Sequence, residues 1–108
     1  MFLVNKMKAT LRQYNRRNDD EIFDDTNYKD INIWCCPYDK DDRINFNEYT
    51  TNEATGYYQV SKDTDVRVGD MIKFKGAYNS APDDFHSVLE VRDEWIFNHI
   101  ENKIVAVK

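Results

Sequence analysis

The chain has 108 residues, a length that suits one domain. Hydrophobic residues make up 41% of it and charged residues 32%, so there are enough apolar side chains for one modest core. The net charge of −5 argues against a broad basic surface for duplex nucleic acid, while a local basic patch is compatible with it. No apolar run reaches the ~20 residues of a membrane-spanning helix, so we expect no membrane partner.

The first half of the chain contains two candidate strands. Residues 6–14 alternate between apolar and polar side chains, but the same stretch also has apolar residues at helical spacing, so periodicity leaves strand and helix open. The polar cluster 15–20 predicts a turn, after which 21–23 can resume a strand. The clearest strand is 28–36, whose alternate residues face opposite sides and which Pro37 ends by removing a backbone donor.

The cysteines lie side by side near the end of this strand. Because alternate residues of a strand face opposite sides, Cys35 and Cys36 are expected to point away from each other. Two cysteines do not supply the four ligands of a structural zinc site. We therefore expect two reduced thiols and no bound metal.

Residues 38–55 form a polar run without clear periodicity. Such a long connection is unusual in a small domain and is typically functional or mobile. Only Ile44, Phe46 and Tyr49 are available to anchor it or to form a short helical turn. We predict a loop that is mobile in the isolated protein, and we expect a deletion of 41–50 to leave the domain folded.

Part of this run looks like the end of an EF-hand calcium loop. When Glu48 is aligned as the last ligand, Pro37 falls on the first ligand position and has no side-chain oxygen. The position that requires glycine falls on Asp42. We therefore expect no calcium site on Asp39, Asp41 and Glu48.

The second half of the chain has a β pattern with frequent turn signals. The segments that alternate are 57–62, 66–74 around a turn at 68–71, 85–91, 95–100 and 103–107, with breaks at 93–94 and 101–102. The fold class is therefore mainly β: a small antiparallel β-barrel or sandwich in one domain, 1–108, with a long loop between the second and third strands. The apolar members of the alternating strands are the expected core: Ile33, Val60, Ile72, Phe74, Leu89 and Val91.

The sequence offers little for catalysis. His86 and His99 are the only histidines, and each lies in a predicted strand or at its end. With three glycines in the chain, a glycine-rich phosphate-binding loop is excluded. We expect no enzyme activity and no cofactor.

Read in order, a series of short motifs resembles the head-closure, or stopper, proteins of tailed phages, a family that joins heads to tails. The motifs are ATLRQY (9–14), INIWCCP (31–37), NEY (47–49), GYYQV (56–60), DVRVGDMIKFKG (65–76) and FHSVLEV (85–91). The resemblance covers roughly residues 7–92.

The resemblance implies a small β-barrel that is not an enzyme and that forms a homo-oligomeric ring beneath the portal and adaptor of a DNA-filled capsid. Its partners would be the connector adaptor, the tail-completion proteins and the packaged DNA, which passes without sequence-specific binding. Its place would be the virion, after assembly in the host cytoplasm. The loop between the second and third strands would be the channel gate: Asp39, Asp41, Asp42, Arg43, Phe46, Glu48 and Tyr49. Acidic side chains suit that place, because they repel phosphates.

Two other interpretations stay open. One is a small acidic interaction module or inhibitor, such as a DNA mimic, which would cluster its carboxylates on one face. The other is an OB-like barrel that binds single-stranded nucleic acid through aromatic and basic residues, of which the candidates are Tyr57, Tyr58, Phe74, Lys73 and Lys75. Most of these rings must, however, fill the core of so small a barrel.

Overall fold

The computed structural model describes residues 7–14, 27–39, 44–75 and 84–108. They form six strands and one short helix: β1 (Met7–Tyr14), β2 (Tyr28–Pro37), α1 (Glu48–Glu53), β3 (Gly56–Ser61), β4 (Met71–Phe74), β5 (His86–Ile96) and β6 (His99–Val107). The turn expected at 15–20 and the strand at 21–23 lie outside the described residues.

All neighbouring strands are antiparallel, and the sheet closes into a barrel in the order β1-β2-β3-β6-β5-β4. Because β4 returns to lie beside β1, the first four strands have a Greek-key arrangement. This confirms the mainly β prediction and its barrel form. The long connection lies between β2 and β3, as expected, but it contains α1 and is not a loop throughout.

The inside of the barrel is the main core. The question left open for β1 is decided in favour of a strand, because Ala9 and Leu11 point inward at every second position and are buried. The other buried members are Cys35, Val60, Val66, Ile72, Phe74, Val88, Val105 and Val107. Of the expected core, Val60, Ile72 and Phe74 are confirmed, while Ile33 and Val91 are half-buried and pack against the same cluster.

Leu89 is where the predicted core is wrong. In the β5–β6 pairing, Val88 lies opposite Val107 and Glu90 opposite Ala106, so Leu89 is an extra residue at a bulge. The bulge changes the parity of the strand, and Val88 and Val91 rather than Leu89 pack toward the core. Leu89 is only half-buried.

The breaks expected at 93–94 and 101–102 are also wrong, because β5 and β6 run through both positions as one hairpin, with a register shift between Glu94 and Trp95. Its turn lies at Phe97 and Asn98, whose φ angles are 50° and 69°. Positive φ at both central residues is the type I′ geometry that matches the twist of a hairpin, and asparagine tolerates it well. The polar residues Glu94 and Asn102 lie within the strands, opposite each other.

A second, smaller core lies on the outside of the barrel. Ile44 and Phe46, from the β2–β3 connection, pack on Ile104 and Ala106 of β6. These β6 residues are fully buried although they alternate with Val105 and Val107, which face the interior. The strand β6 is therefore covered on both sides.

Candidate functional site

The outer surface of β3, β6 and β5, here called the β6 face, carries residues 44–55 of the connection. The Phe46 ring lies 5.1 Å from the Tyr57 ring, centroid to centroid, and only 8% of Phe46 is exposed. Ile44 is buried beside it. Burial of these side chains removes the apolar outer surface of β6 from water and holds the connection against the barrel.

The helix α1 begins with two hydrogen-bonding contacts. The Asn47 side chain accepts a hydrogen bond from the Thr50 amide at 2.8 Å, as an N-cap residue does. The Asn47 amide donates to Glu90 on β5 at 3.1 Å, and Arg92 forms an ion pair with the same carboxylate. Burial opposes ionisation of Glu90, but the hydrogen bonds outweigh it and lower the pKa of this carboxyl.

Backbone hydrogen bonds tie both ends of the connection to the sheet. The Tyr38 amide donates to the Tyr57 carbonyl at 2.9 Å, and the Thr55 amide donates to the Val107 carbonyl at 2.8 Å. The Ala54 amide closes α1 by donating to Thr50 at 2.8 Å. The connection thus leaves β2 and enters β3 at fixed points on the barrel.

The structure divides the predicted gate residues among different environments. Phe46 is an anchor in the outer core and is not available to a channel. Tyr49 is 65% exposed, and Glu48 and Asp39 are also exposed. Asp41, Asp42 and Arg43 lie outside the described residues.

The packing also corrects two expectations about this connection. Residues 44–55 pack on the barrel, which does not fit a loop that is mobile as a whole. A deletion of 41–50 would remove the buried Ile44, Phe46 and Thr50, and would expose Ile104 and Ala106. On this packing we expect the deletion to destabilise the domain.

Residues 44–55 are here called the cover of the β6 face. Next to this cover lies a polar group of four residues, here called the Glu94 cluster. Gln59 donates to the Glu94 carboxylate at 2.8 Å, Asn102 donates to the same oxygen at 3.2 Å, and the Cys36 thiol donates to Gln59 at 3.2 Å. Burial and the nearby Glu94 raise the pKa of Cys36. The cluster links β2, β3, β5 and β6 on the outside of the barrel.

The two cysteines point to opposite sides, as predicted. Cys35 lies in the main core, and burial together with the neighbouring Cys36 raises its pKa to about 12. Both thiols are free. At neutral pH both are protonated, so neither is an activated nucleophile.

The outer surface of β2, β1 and β4, here called the β1 face, has a different character. The strand registers place Lys8 beside Trp34, and Thr10 between Asn32 and Lys73. The Lys75 amide donates to the Lys8 carbonyl at 3.0 Å, so these two lysines are neighbours. An open groove of about 200 Å³ runs between them, and its lining residues are Lys8, Asn32, Ile33, Trp34 and Lys75.

At the other end of the β1 face, Arg12 contacts two aromatic rings and a carboxylate. Its guanidinium lies 3.9 Å from the Tyr28 ring centroid and 4.1 Å from that of Phe85. It also forms two hydrogen bonds with Asp30, at 2.9 and 3.1 Å. The hydrogen bond from Arg12 lowers the pKa of Asp30, and the bidentate geometry fixes the arginine between the two rings.

The aromatic residues that the sequence indicated for single-stranded nucleic acid lie in or against the two cores. Tyr58 and Phe74 stack at 4.2 Å as part of the main core and its edge, and Tyr57 packs under the cover on the β6 face. Lys73 and Lys75 do lie on the β1 face, whereas Lys8 and Trp34 were missed. The alternation of outward positions in β1 and β2 could have indicated them, once these strands were paired.

The two histidines lie outside the groups described above. His86 lies 5.5 Å from the Phe74 ring, and His99 lies 3.0 Å from the Glu101 carboxylate. Among the residues that the structure describes, no three His, Cys, Asp or Glu side chains could hold a metal ion, and no helix is long and apolar enough to cross a membrane.

Comparisons of the chain with protein-family models, curated proteins and solved structures give no match.

Proposed function

We propose that this chain is a structural component of the head-to-tail connector of a tailed phage, in which copies form a ring that closes the DNA-filled head and receives the tail. The observation that carries the proposal is a closed antiparallel barrel whose longest connection joins β2 and β3. This is the architecture that the resemblance to head-closure proteins implies. The partners in the proposal are further copies of the chain, the connector adaptor and the tail-completion proteins.

The anchoring of the connection narrows the part that would face the channel. Tyr38 is bonded to β3, and Ile44 is buried on β6, so 39–43 is the stretch between two fixed points. It contains three aspartates. Carboxylates at a channel wall repel DNA phosphates, which lets the polymer pass without being held.

Exposed aromatic residues supply surface for protein contacts in such an assembly. Phe97 at the tip of the β5–β6 hairpin is 91% exposed, Trp95 next to it is 63% exposed, and Tyr49 projects from α1. Large aromatic residues are enriched at protein interfaces. In the proposal they contact a neighbouring copy or a connector partner.

A nonsense mutation in the phage that encodes the chain tests the proposed function. Without the protein, we expect full-sized heads that carry no tails and lose their DNA, as seen by electron microscopy and by nuclease protection. The wild-type chain supplied in trans should restore tailed, DNA-filled particles. Complete tailed particles that retain their genome without the chain would overturn the proposal.

A charge reversal tests the channel stretch within the same system. The double variant Asp39→Lys with Asp41→Lys should still join tails but should slow DNA release, because phosphates are now attracted. The matched control is Asp63→Lys with Asp84→Lys, which makes the same change in net charge at exposed residues elsewhere. Equal release from both variants would exclude 39–43 as the channel stretch.

A further inference from the structure

The β1 face carries lysines that form no salt bridge with the carboxylates of the described residues. Within the described ranges, the salt bridges pair Arg92 with Glu90, Lys108 with Glu53, Arg67 with Asp65, Arg12 with Asp30 and His99 with Glu101, and none of them includes Lys8, Lys73 or Lys75. These three lysines share one side of a chain whose net charge is −5. Positive charge left over on one face of an acidic protein indicates a site for an anionic ligand.

Two of these lysines, Lys8 and Lys75, are backbone neighbours. Lys75 and Lys8 are hydrogen-bonded neighbours in antiparallel strands, and both line the same groove. Like charges opposite each other in a sheet are destabilising. An anion that contacts both side chains would offset their like charges.

An exposed aromatic ring lies beside the lysines. Trp34 is 44% exposed, and the Lys8 Nζ lies 5.5 Å from the centre of its ring. The groove beside it, about 200 Å³, is smaller than the roughly 300–1,000 Å³ that encloses a drug-sized ligand. It suits one planar ring, and the Asn32 amide in its wall can donate to and accept from the polar edge of that ring.

We propose that the β1 face binds single-stranded nucleic acid with little sequence preference. Lys8, Lys73 and Lys75 contact successive phosphates, and a base stacks on Trp34, since stacking of this kind tolerates every base. A duplex keeps its bases stacked on one another and offers none to the tryptophan. The site lies on the opposite side of the barrel from residues 44–55, which pack on β6, and does not depend on the connector function.

Fluorescence anisotropy of a labelled oligothymidylate, longer than the ~4–16 nucleotides that one small barrel covers, tests the proposal with the full chain. Binding should weaken with salt, with a slope of log K against log salt of about −2 for three phosphate contacts. Trp34→Ala should weaken binding about 5- to 150-fold, and Lys8→Glu with Lys75→Glu should weaken it further and flatten the salt dependence.

The chain offers a matched control for each change. Trp95→Ala removes the other tryptophan, exposed on β5, and Lys62→Glu reverses an exposed lysine outside the face. Both should bind the oligonucleotide as the wild type does, and circular dichroism should show that all variants are folded. The absence of salt-sensitive binding by wild type, or equal loss with Trp95→Ala, would overturn the proposal. So would a result in which Lys8→Glu abolishes only self-association in sedimentation, because the face would then be a contact between copies.

Discussion

The β1 and β6 faces are outer surfaces of the same barrel, and their strands lie opposite each other in the closed sheet. The outward positions of β6 include Ile104 and Ala106, and a segment of the chain covers them. The outward positions of β1 are Lys8, Thr10 and Arg12, of which Lys8 is exposed and Arg12 lies between the Tyr28 and Phe85 rings. The comparison teaches that the chemistry of the outward positions decides which side of a small barrel becomes structural and which stays available to ligands.

Polar groups follow the same division. On the β6 face, Glu90 and Glu94 are buried and receive hydrogen bonds from neighbouring elements. On the β1 face, the ion pair of Arg12 with Asp30 remains accessible to solvent, with 38% of the Asp30 side chain exposed. A buried polar group is costly when it loses its partner, whereas an exposed ion pair contributes little.

The largest expected effect comes from removing the cover of the β6 face. Phe46→Ala should lower the free energy of unfolding by about 3–5 kcal/mol, because a buried ring is lost and Ile104 is exposed. Tyr49→Ala is the matched control, since it removes an exposed ring from the same segment and should change stability by under about 0.5 kcal/mol. Urea unfolding measures both. Equal losses would contradict the difference in burial.

The second-largest loss of stability is expected from a substitution in the Glu94 cluster. Glu94→Ala leaves the Gln59 and Asn102 amides without their acceptor in a buried site, which should cost about 1–3 kcal/mol. Asp30→Ala, the corresponding change on the β1 face, should cost about 0–1 kcal/mol because the pair is solvated. If chemical denaturation shows the larger loss for Asp30→Ala, the two faces are not divided as described.

The loss of stability at acid pH should also differ between the β6 face and the β1 face. The folded-state pKa values of Glu90 and Asp30 are lowered, so each carboxylate adds stability above its unfolded pKa that disappears as pH falls through the folded value. Below about pH 4.5, the wild type should therefore lose stability. Glu90→Gln should reduce this acid dependence more than Asp30→Asn, because only 10% of the Glu90 side chain is exposed. Thermal unfolding between pH 2 and 7 would show it, and a larger change for Asp30→Asn would count against the contrast.

The smallest effect concerns the two neighbouring lysines of the β1 face. Lys75→Glu converts a repulsive neighbour of Lys8 into an attractive one and should stabilise the protein by roughly 0.2–1 kcal/mol at low salt. High salt should reduce the gain, since exposed charges are screened. Lys62→Glu provides the comparison and should lack this gain. A destabilising Lys75→Glu would show that the lysines do not repel each other.

Alternation predicted the barrel because most strands have one face toward the core and one toward water. The prediction failed where the outer side is also buried: Glu94 and Asn102 appear as breaks in the sequence, but they satisfy each other across the hairpin. The prediction that Leu89 is buried failed because a bulge changes which residues of β5 face the core, and no local sequence pattern indicates a bulge. The run of apolar residues at 104–107 did carry a signal, since a strand without alternation is covered on both sides.

The candidate sites were less accessible to sequence reasoning. The burial of Phe46 depends on Ile104 and Ala106, which lie far along the chain and become its neighbours only when the barrel closes. The β1 face likewise requires the β1–β2 and β1–β4 registers, which bring Lys8 next to Trp34 and Lys75. Composition indicated an acidic protein but could not show that its cations are distributed unevenly.

Hydrogen exchange of the backbone amides in the full chain tests the contrast between a covered and an open face most directly. The amides of Ala54 and Thr55 donate to Thr50 and Val107, and the cover packs on β6. We predict that these amides exchange slowly, with protection that approaches that of the β6 amides beneath them. Exchange at the rate of an unstructured peptide, while β6 stays protected, would show that residues 44–55 do not close the β6 face and would contradict the division of the barrel into two faces.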